Sequence, residues 1–418
     1  MYEHYQLKNK TDIYLVPLND TKSVTVLVML PAGSRHESEK MRGVSHFIEH
    51  MMFKGTKKRE NTLALTREID RLGAEYNAFT GKEYTGYYIK VDADFIETAL
   101  DILSDMLFNS KFEAKEMEKE KAVIVEEIKM YNDNPLMNIG NIFEEVMYQG
   151  CPLGWDIAGT AKHVLEYTRQ DVLAYQNKYY QPGNLTVALA GAVKNNVENL
   201  IEQYFGSKRN KKVNQHFSKA NFGSAAKNER IKVQKKQTDQ IQLMIGFPGF
   251  KYNDKRNYSF AVLNTILGGS MSSRLFIRIR EKLGLAYMIR SGTDNYQDTG
   301  YVYVRAGLDA RNLNKAIIEI KNEINKIVEI GATKRELDDA KTHLRGSLVL
   351  SMEDSSAQAS WYVRQALFAE KIESPEDKLK KIDEVSFDDI QKAAGQVFKM
   401  DRMRVAVIGD VEVDSIVF

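Results

Sequence analysis

Three segments of this chain recur downstream at almost the same distance. The stretch Asp171-Val-Leu to Leu185-Thr-Val-Ala-Leu-Ala-Gly191-Ala-Val193 matches Asp389-Ile-Gln to Met403-Arg-Val-Ala-Val-Ile-Gly409-Asp-Val411 without a gap, at an offset of 218. The apolar run Val24 to Leu30, followed by Pro31, matches Ile241 to Phe247, followed by Pro248, at 217. Gly86-Tyr-Tyr matches Gly300-Tyr-Val at 214. Matches at a shared spacing mark a duplicated unit of roughly 215 residues. Whatever fold one half adopts, the other must adopt too.

Within each half, short runs of β-branched and aromatic residues alternate with helical patterns. Val24 to Leu30, Thr85 to Val91 and Leu185 to Ala190 read as strands, and Ile96 to Leu107 and Glu116 to Tyr131 as helices. Gln240 to Phe247, Gly300 to Ala306 and Arg404 to Ile408 repeat the strands, with a helix over Leu313 to Val328. The expected fold is α+β: two duplicated domains of similar size, each a mainly antiparallel sheet covered by helices. Between Lys208 and Lys236 ten cations stand against Glu229 alone, leaving +9 there and −7 in the rest of the chain. That stretch is rich in Asn, Ser and Gln and lacks helical periodicity, so it reads as a basic linker. The expected divisions are 1–207, linker 208–236 and 237–418.

The net charge of +2 over 418 residues gives no bulk signal for nucleic-acid binding. Cys151 is the sole cysteine, which excludes an internal disulfide and any multi-cysteine metal site. The opening Met1-Tyr2-Glu3-His4 carries neither a basic nor an apolar leader pattern, and no apolar stretch is long enough to span a membrane. A cytoplasmic protein with no nucleic-acid or membrane partner is expected.

Chemistry concentrates at His46-Phe-Ile-Glu-His50, inside a helical pattern from Val44 to Phe53. Residues four apart on a helix stand one turn above the other, so His46 and His50 can grip a single Zn²⁺, one per chain. Glu49 falls beside them, placed to act as general base on metal-activated water. A zinc site needs a third protein ligand. On the helix Glu116 to Tyr131, the residues Ile124, Ile128 and Tyr131 fall within ~40° of Met117 and define a buried stripe. Glu120 and Glu127 sit together on one border of it, whereas Glu126 points the opposite way. A carboxylate at the edge of a core face must be paired or metal-bound, so Glu127 or Glu120 is the favoured third ligand. His4, His36, His163, His216 and His343 lack partners at ligand spacing and read as structural or surface residues.

His46-Phe-Ile-Glu-His50-Met-Met-Phe-Lys-Gly-Thr56 resembles the inverted zinc motif of the pitrilysin, insulin-degrading enzyme and mitochondrial processing peptidase family, and the chain looks like a short two-domain member of it. In that family the third ligand is a Glu about 76 or 77 residues after the second His. Glu127 lies 77 after His50, in Glu120-Lys-Ala-Val-Ile-Val-Glu-Glu127-Ile. The resemblance therefore makes Glu127 the ligand and Glu120 a supporting acid. Gly73-Ala-Glu-Tyr-Asn77-Ala78-Phe79-Thr80 is similar to the family's edge strand, which implies that Asn77, Ala78 and Phe79 pair with an extended substrate. Arg280-Glu-Lys-Leu-Gly-Leu-Ala-Tyr287 is similar to the family's Arg/Tyr pair, which contacts the substrate and the tetrahedral intermediate. The second half has Asn264-Thr-Ile-Leu267 where the motif should repeat, so its ligands are lost.

What the resemblance implies is a zinc endopeptidase cleaving peptides or unfolded segments in a closed chamber. Relatives of about twice this length take the Arg/Tyr pair from the second half of the molecule. A chain of 418 residues is thus expected to form a homodimer in which each zinc site uses the partner's Arg280 and Tyr287. The alternatives are a non-catalytic assembly subunit of the same fold, and a metal-dependent hydrolase of non-peptide substrates. Intact His46, Glu49, His50 and Glu127 argue against the first, and the strand-pairing segment against the second.

Overall fold

In the computed structural model, which describes residues 2–210, 217–220, 222, 226 and 229–418, eleven strands form two sheets. The first contains β1 (Glu3–Gln6), β2 (Asp12–Pro17), β3 (Ser23–Leu30), β4 (Glu75–Thr80), β5 (Thr85–Asp92) and β6 (Thr186–Gly191), in the order β1-β2-β6-β3-β5-β4. The second contains β7 (Ile231–Gln234), β8 (Ile241–Pro248), β9 (Ala286–Asn295), β10 (Gly300–Leu308) and β11 (Arg404–Ile408), in the order β7-β11-β8-β10-β9. The order β2-β6-β3-β5-β4 is therefore repeated strand for strand. In each sheet one pair is parallel, β2 with β6 and β7 with β11, and the remaining pairs are antiparallel. The α+β duplication read from the near-constant offset is present in topology and register.

The chain forms two compact units, and they are not its two contiguous halves. One comprises Met1–Lys129, Trp155–Ser218 and Leu350–Ile372; the other comprises Met130–Gly154, Lys219–Val349 and Glu373–Phe418. Each unit thus contains a helix encoded in the opposite half. Cutting by composition at 207 and 237 does not anticipate this, because an amphipathic helix carries no mark of which sheet it covers. Within 208–236, read from the sequence as linker, Ile231–Gln234 form β7 beside β11. Lys211, Lys212, Lys227 and His216 lie outside the described residues.

The exchange explains why β3 is apolar almost throughout. In the first unit Val24, Val26, Val28 and Leu30 pack toward the helices Val44–Met51 and Ile96–Asn109. Leu27 and Met29 face the other way, against Ala359, Tyr362 and Val363 of the helix Ser355–Phe368. A strand covered on both faces has no position for a polar side chain that is not hydrogen-bonded. Thr25 meets that condition, its hydroxyl lying 2.7 Å from Ser355 Oγ. In the second unit Ile241, Leu243, Ile245 and Phe247 of β8 face Ile317, Ile320 and Ile324 of the helix Leu313–Ile330. Its other face carries Met244 against Ile139, Phe143 and Met147 of the helix Pro135–Met147. Gly246 has no side chain because the Phe143 ring occupies that space, 2.4 Å from where a Cβ would stand.

Candidate metal centre

The helix Val44–Met51 is amphipathic. Val44, Phe47, Ile48 and Met51 bury one face in the core of the first unit, which turns His46, Glu49 and His50 outward together. Its start lacks an ordinary cap: Gly43 is in the left-handed region at φ 90 and has no side chain to offer. The carboxylate of Glu37 takes that role, accepting the N–H groups of Gly43 at 2.7 Å and Ser45 at 2.8 Å. Glu37 is buried, and burial pushes its carboxyl up to about 7 despite those two hydrogen bonds. A side chain at Gly43 would also meet Ala158 O at 2.4 Å.

The helix Ala114–Asp133 supplies the facing acids. Met117 and Ile124 are buried, Glu120 is buried on the border of that stripe, and Glu127 is partly exposed one step further along. Glu126 points to solvent and pairs with Lys129 at 2.8 Å. His46 Nε2 and His50 Nε2 lie 3.2 Å apart, and Glu127 Oε2 is 3.7 Å from the first and 3.5 Å from the second. These three residues form the one metal-competent cluster among the described residues. Ligands held tetrahedrally at zinc distances of about 2.0–2.1 Å stand roughly 3.3 Å from one another, so the triangle has the edges a zinc ion requires.

The protonation pattern points the same way. Burial, with His50 alongside, holds the His46 imidazole down to about 4, leaving it neutral. Burial also opposes charge on His50, but its hydrogen bonds to Glu120 and Glu127 outweigh burial and carry it up to about 9. Glu120 is held below the usual carboxylate range, since His50 and Lys54 overcome its burial, and Glu127 is held down first by its hydrogen bond with His50. Two carboxylates thus converge on the His50 imidazole, one at each ring nitrogen. Glu120 Oε1 lies 2.8 Å from His50 Nδ1 and Oε2 lies 2.6 Å from Lys54 Nζ. Accepting the Nδ1 proton leaves His50 Nε2 free as a ligand.

Glu49 stands beside the cluster. Burial pushes its carboxyl up, while the Thr80 hydroxyl, donating to Oε2 at 2.5 Å, and His50 pull it back. Thr80 ends β4, the last strand of its sheet, so the edge carrying Asn77, Ala78 and Phe79 runs up to the helix Val44–Met51. Ala78 is buried in the core, Asn77 is exposed, and the Phe79 ring lies over Gly86. In the second unit the Arg280 guanidinium stacks between Phe276, at 4.7 Å, and Tyr287, at 5.5 Å, and Tyr287 is 74% exposed on the edge strand β9. The position equivalent to His50 is Gly268, where a Cβ would lie 2.6 Å from Ser291 Oγ, so the repeated site is closed by packing as well as stripped of ligands. Glu37, Thr80 and Lys54 carry no mark in the sequence that singles them out. A helix start with a glycine cap was the one available signal, since its N–H groups require an acceptor from elsewhere.

Residues 14–161 match the family described as Insulinase (Peptidase family M16), and residues 166–344 match the Peptidase M16 inactive domain. A relative named as an uncharacterized zinc protease of Bacillus subtilis is 34% identical over 96% of this chain and 97% of its own. Another with the same description, from Streptomyces coelicolor, is 33% identical over 94% of this chain and 86% of its own. Among solved structures, a protease from Helicobacter pylori superposes with a TM-score of 0.93 at 23% identity, over 98% of this chain and 99% of that one. A peptidase M16 inactive domain from Pseudomonas fluorescens gives 0.90 at 20% identity, over 98% of both chains.

Proposed function

The chain belongs to the insulinase (M16) peptidase family, and from that premise we propose that it is a zinc-dependent endopeptidase acting on peptides or unfolded segments. The observation that carries this reading is the convergence of His46 Nε2, His50 Nε2 and Glu127 Oε2 on one point, with the Glu49 carboxylate alongside. His46, His50 and Glu127 would hold a zinc ion, which would supply Lewis-acid chemistry toward a carbonyl and a water at neutral pH. Glu49 accepts a proton from the attacking water and delivers it to the leaving amine nitrogen. The Thr80 hydroxyl occupies Glu49 Oε2, which leaves Oε1 for that proton. Glu120 holds the His50 ring in one orientation.

The peptide is bound as an added strand along Asn77, Ala78 and Phe79, whose outer backbone edge has no strand partner among the described residues. Arg280 and Tyr287 donate hydrogen bonds to that peptide and to the charge developing on its carbonyl oxygen. In this reading they come from a second copy of the chain in a homodimer, which encloses the sites in a chamber. Their stacking and the exposure of Tyr287 support this role, because the pair is available to another molecule. No helix among the described residues is long and apolar enough to cross a membrane. A cytoplasmic site of action completes the proposal.

The test is zinc content together with cleavage of a quenched peptide library by the wild type and Glu49→Gln. One zinc per chain in both, with turnover in the wild type alone, is the expected result. Zinc without cleavage of any peptide would favour the assembly-subunit alternative. Absence of zinc would remove the site itself.

A further inference from the structure

Strands β9 and β10 pair so that Arg290 stands directly opposite Arg305. Side chains on directly opposed residues share one face of a sheet, and like charges placed so are unfavourable. Neither arginine has a carboxylate at ion-pair distance among the described residues. Moreover, Nε and Nη2 of Arg305 are shut off from solvent with no acceptor. Burial, with Arg290 next to it, holds the Arg305 guanidinium below its ordinary value. A fold that needed only a strand-filling residue here would not retain two opposed cations with buried donors unmet.

The surroundings leave room at this pair. Along this face the pair is flanked by Gly292 opposite Tyr303 in one direction and by Gly307 opposite Met288 in the other, so one of the two neighbouring positions on each side carries no side chain. The Tyr303 ring lies across Gly292, its hydroxyl 2.5 Å from where a Cβ would be, and forms one wall. Gln242, opposite Gly307 on β8, faces the same side, and its Oε1 is likewise buried without a partner. Asp294 shares this face opposite Tyr301, roughly 13 Å along the strand from Arg290.

We propose that Arg290 and Arg305 form a carboxylate-binding subsite that captures an acidic side chain or the C-terminal carboxylate of a bound peptide. Guanidinium forks match the two oxygens of a carboxylate: exposed Arg290 offers its fork directly, and the Arg305 guanidinium opposite it adds a second positive charge. That the ligand is a peptide rests on the peptidase reading above; that it is an oxyanion rests on the arginine pair alone.

The experiment uses the zinc-loaded full chain carrying Glu49→Gln, so that binding is read without turnover. Fluorescence anisotropy compares three labelled peptides of matched length: one with Glu and an amidated end, one with Gln and a free C-terminus, and one with Gln and an amidated end. Adding Arg305→Met should weaken one or both carboxylate peptides by roughly tenfold and leave the neutral peptide within about twofold. Which of the first two responds identifies the source of the carboxylate. Arg305→Lys keeps the charge without the fork and should recover part of the loss. The thermal midpoint of Arg305→Met should match or exceed that of its parent, because an unpaired buried charge has gone. Arg290→Met, on the exposed partner, gives a second route to the same loss should Arg305→Met not fold. Equal weakening of all three peptides, or of none, overturns the proposal. Inorganic phosphate displacing every peptide equally would also overturn it, reducing the pair to a general anion site. Cleavage of the neutral peptide by the wild type is measured alongside. Its absence with Arg305-dependent binding intact counts against the peptidase reading and not against the subsite.

Discussion

Replacing Glu37 by Gln tests whether a buried carboxyl sets the pH response of the helix Val44–Met51. The side chain is buried, and burial raises it from an ordinary 4.5 to about 7. The folded chain therefore holds this proton more tightly than the unfolded chain does. Its stabilising contribution is complete below about pH 4.5 and is lost as pH climbs through 7. Each tenfold difference in proton affinity between the folded and unfolded chain is worth about 1.4 kcal/mol, so the wild type should lose about 3 kcal/mol between pH 4.5 and 8 from this group. Gln has nearly the same shape and no proton to lose, so the variant should escape that loss. Urea unfolding of both proteins at pH 5, 6, 7 and 8, with zinc chelated in each, isolates the effect as the difference between two curves. The variant should gain on the wild type by about 2.5 kcal/mol from pH 5 to 8. A difference flat to within about 1 kcal/mol, or one of opposite slope, would refute the reasoning. Glu37→Ala should act otherwise, leaving the N–H groups of Gly43 and Ser45 without an acceptor at a cost of about 2–6 kcal/mol at any pH.

Glu120→Gln should weaken zinc binding by roughly 10- to 100-fold in a competition with a chelating dye, because the His50 ring exchanges a charged acceptor for a neutral amide oxygen. Glu126→Gln, on the solvent side, should change nothing in the same assay. Writing the lost ligands back as Asn264→His with Gly268→His should leave zinc at one per chain. It should also cost about 1–3 kcal/mol in a denaturant melt, since no side chain fits against Ser291. If each zinc site takes Arg280 from a partner subunit, Glu49→Gln and Arg280→Ala chains, each inactive alone, should recover about a quarter of wild-type turnover when refolded together. Recovery of none would place the pair and the zinc in one chain.

Much of the candidate site was legible because helical periodicity translates spacing into direction. His46 and His50 one turn apart, and Glu127 at the edge of an apolar stripe, could be placed without coordinates. Between the two candidate acids the geometry favours Glu127 as a ligand: it reaches both imidazole Nε2 atoms, while Glu120 meets Nδ1 from behind. Strand ladders were legible from the repeat, since β3 and β8, or β6 and β11, lie at one offset. What stayed hidden depends on pairings between distant segments. Glu37 caps a helix that begins seven residues later, and nothing about an isolated Glu in a turn says so. Arg290 and Arg305 face each other only once the register of β9 on β10 is known. The helices Pro135–Met147 and Ser355–Phe368 were equally silent, because an apolar face states that it needs covering and not by what.

The exchange of helices also sets a timetable for synthesis. When Ser218 has left the ribosome, the first sheet is complete in sequence, yet the helix that covers Tyr14, Val16, Leu27 and Met29 is still untranslated. The rest of that unit is finished roughly 150 residues later, about 8–30 s at elongation rates of ~5–20 residues per second. During that interval a nascent chain carries one sheet face of apolar side chains open to water, and to any holdase that reads such a surface. A gene cut at the sequence midpoint would make that transient exposure permanent.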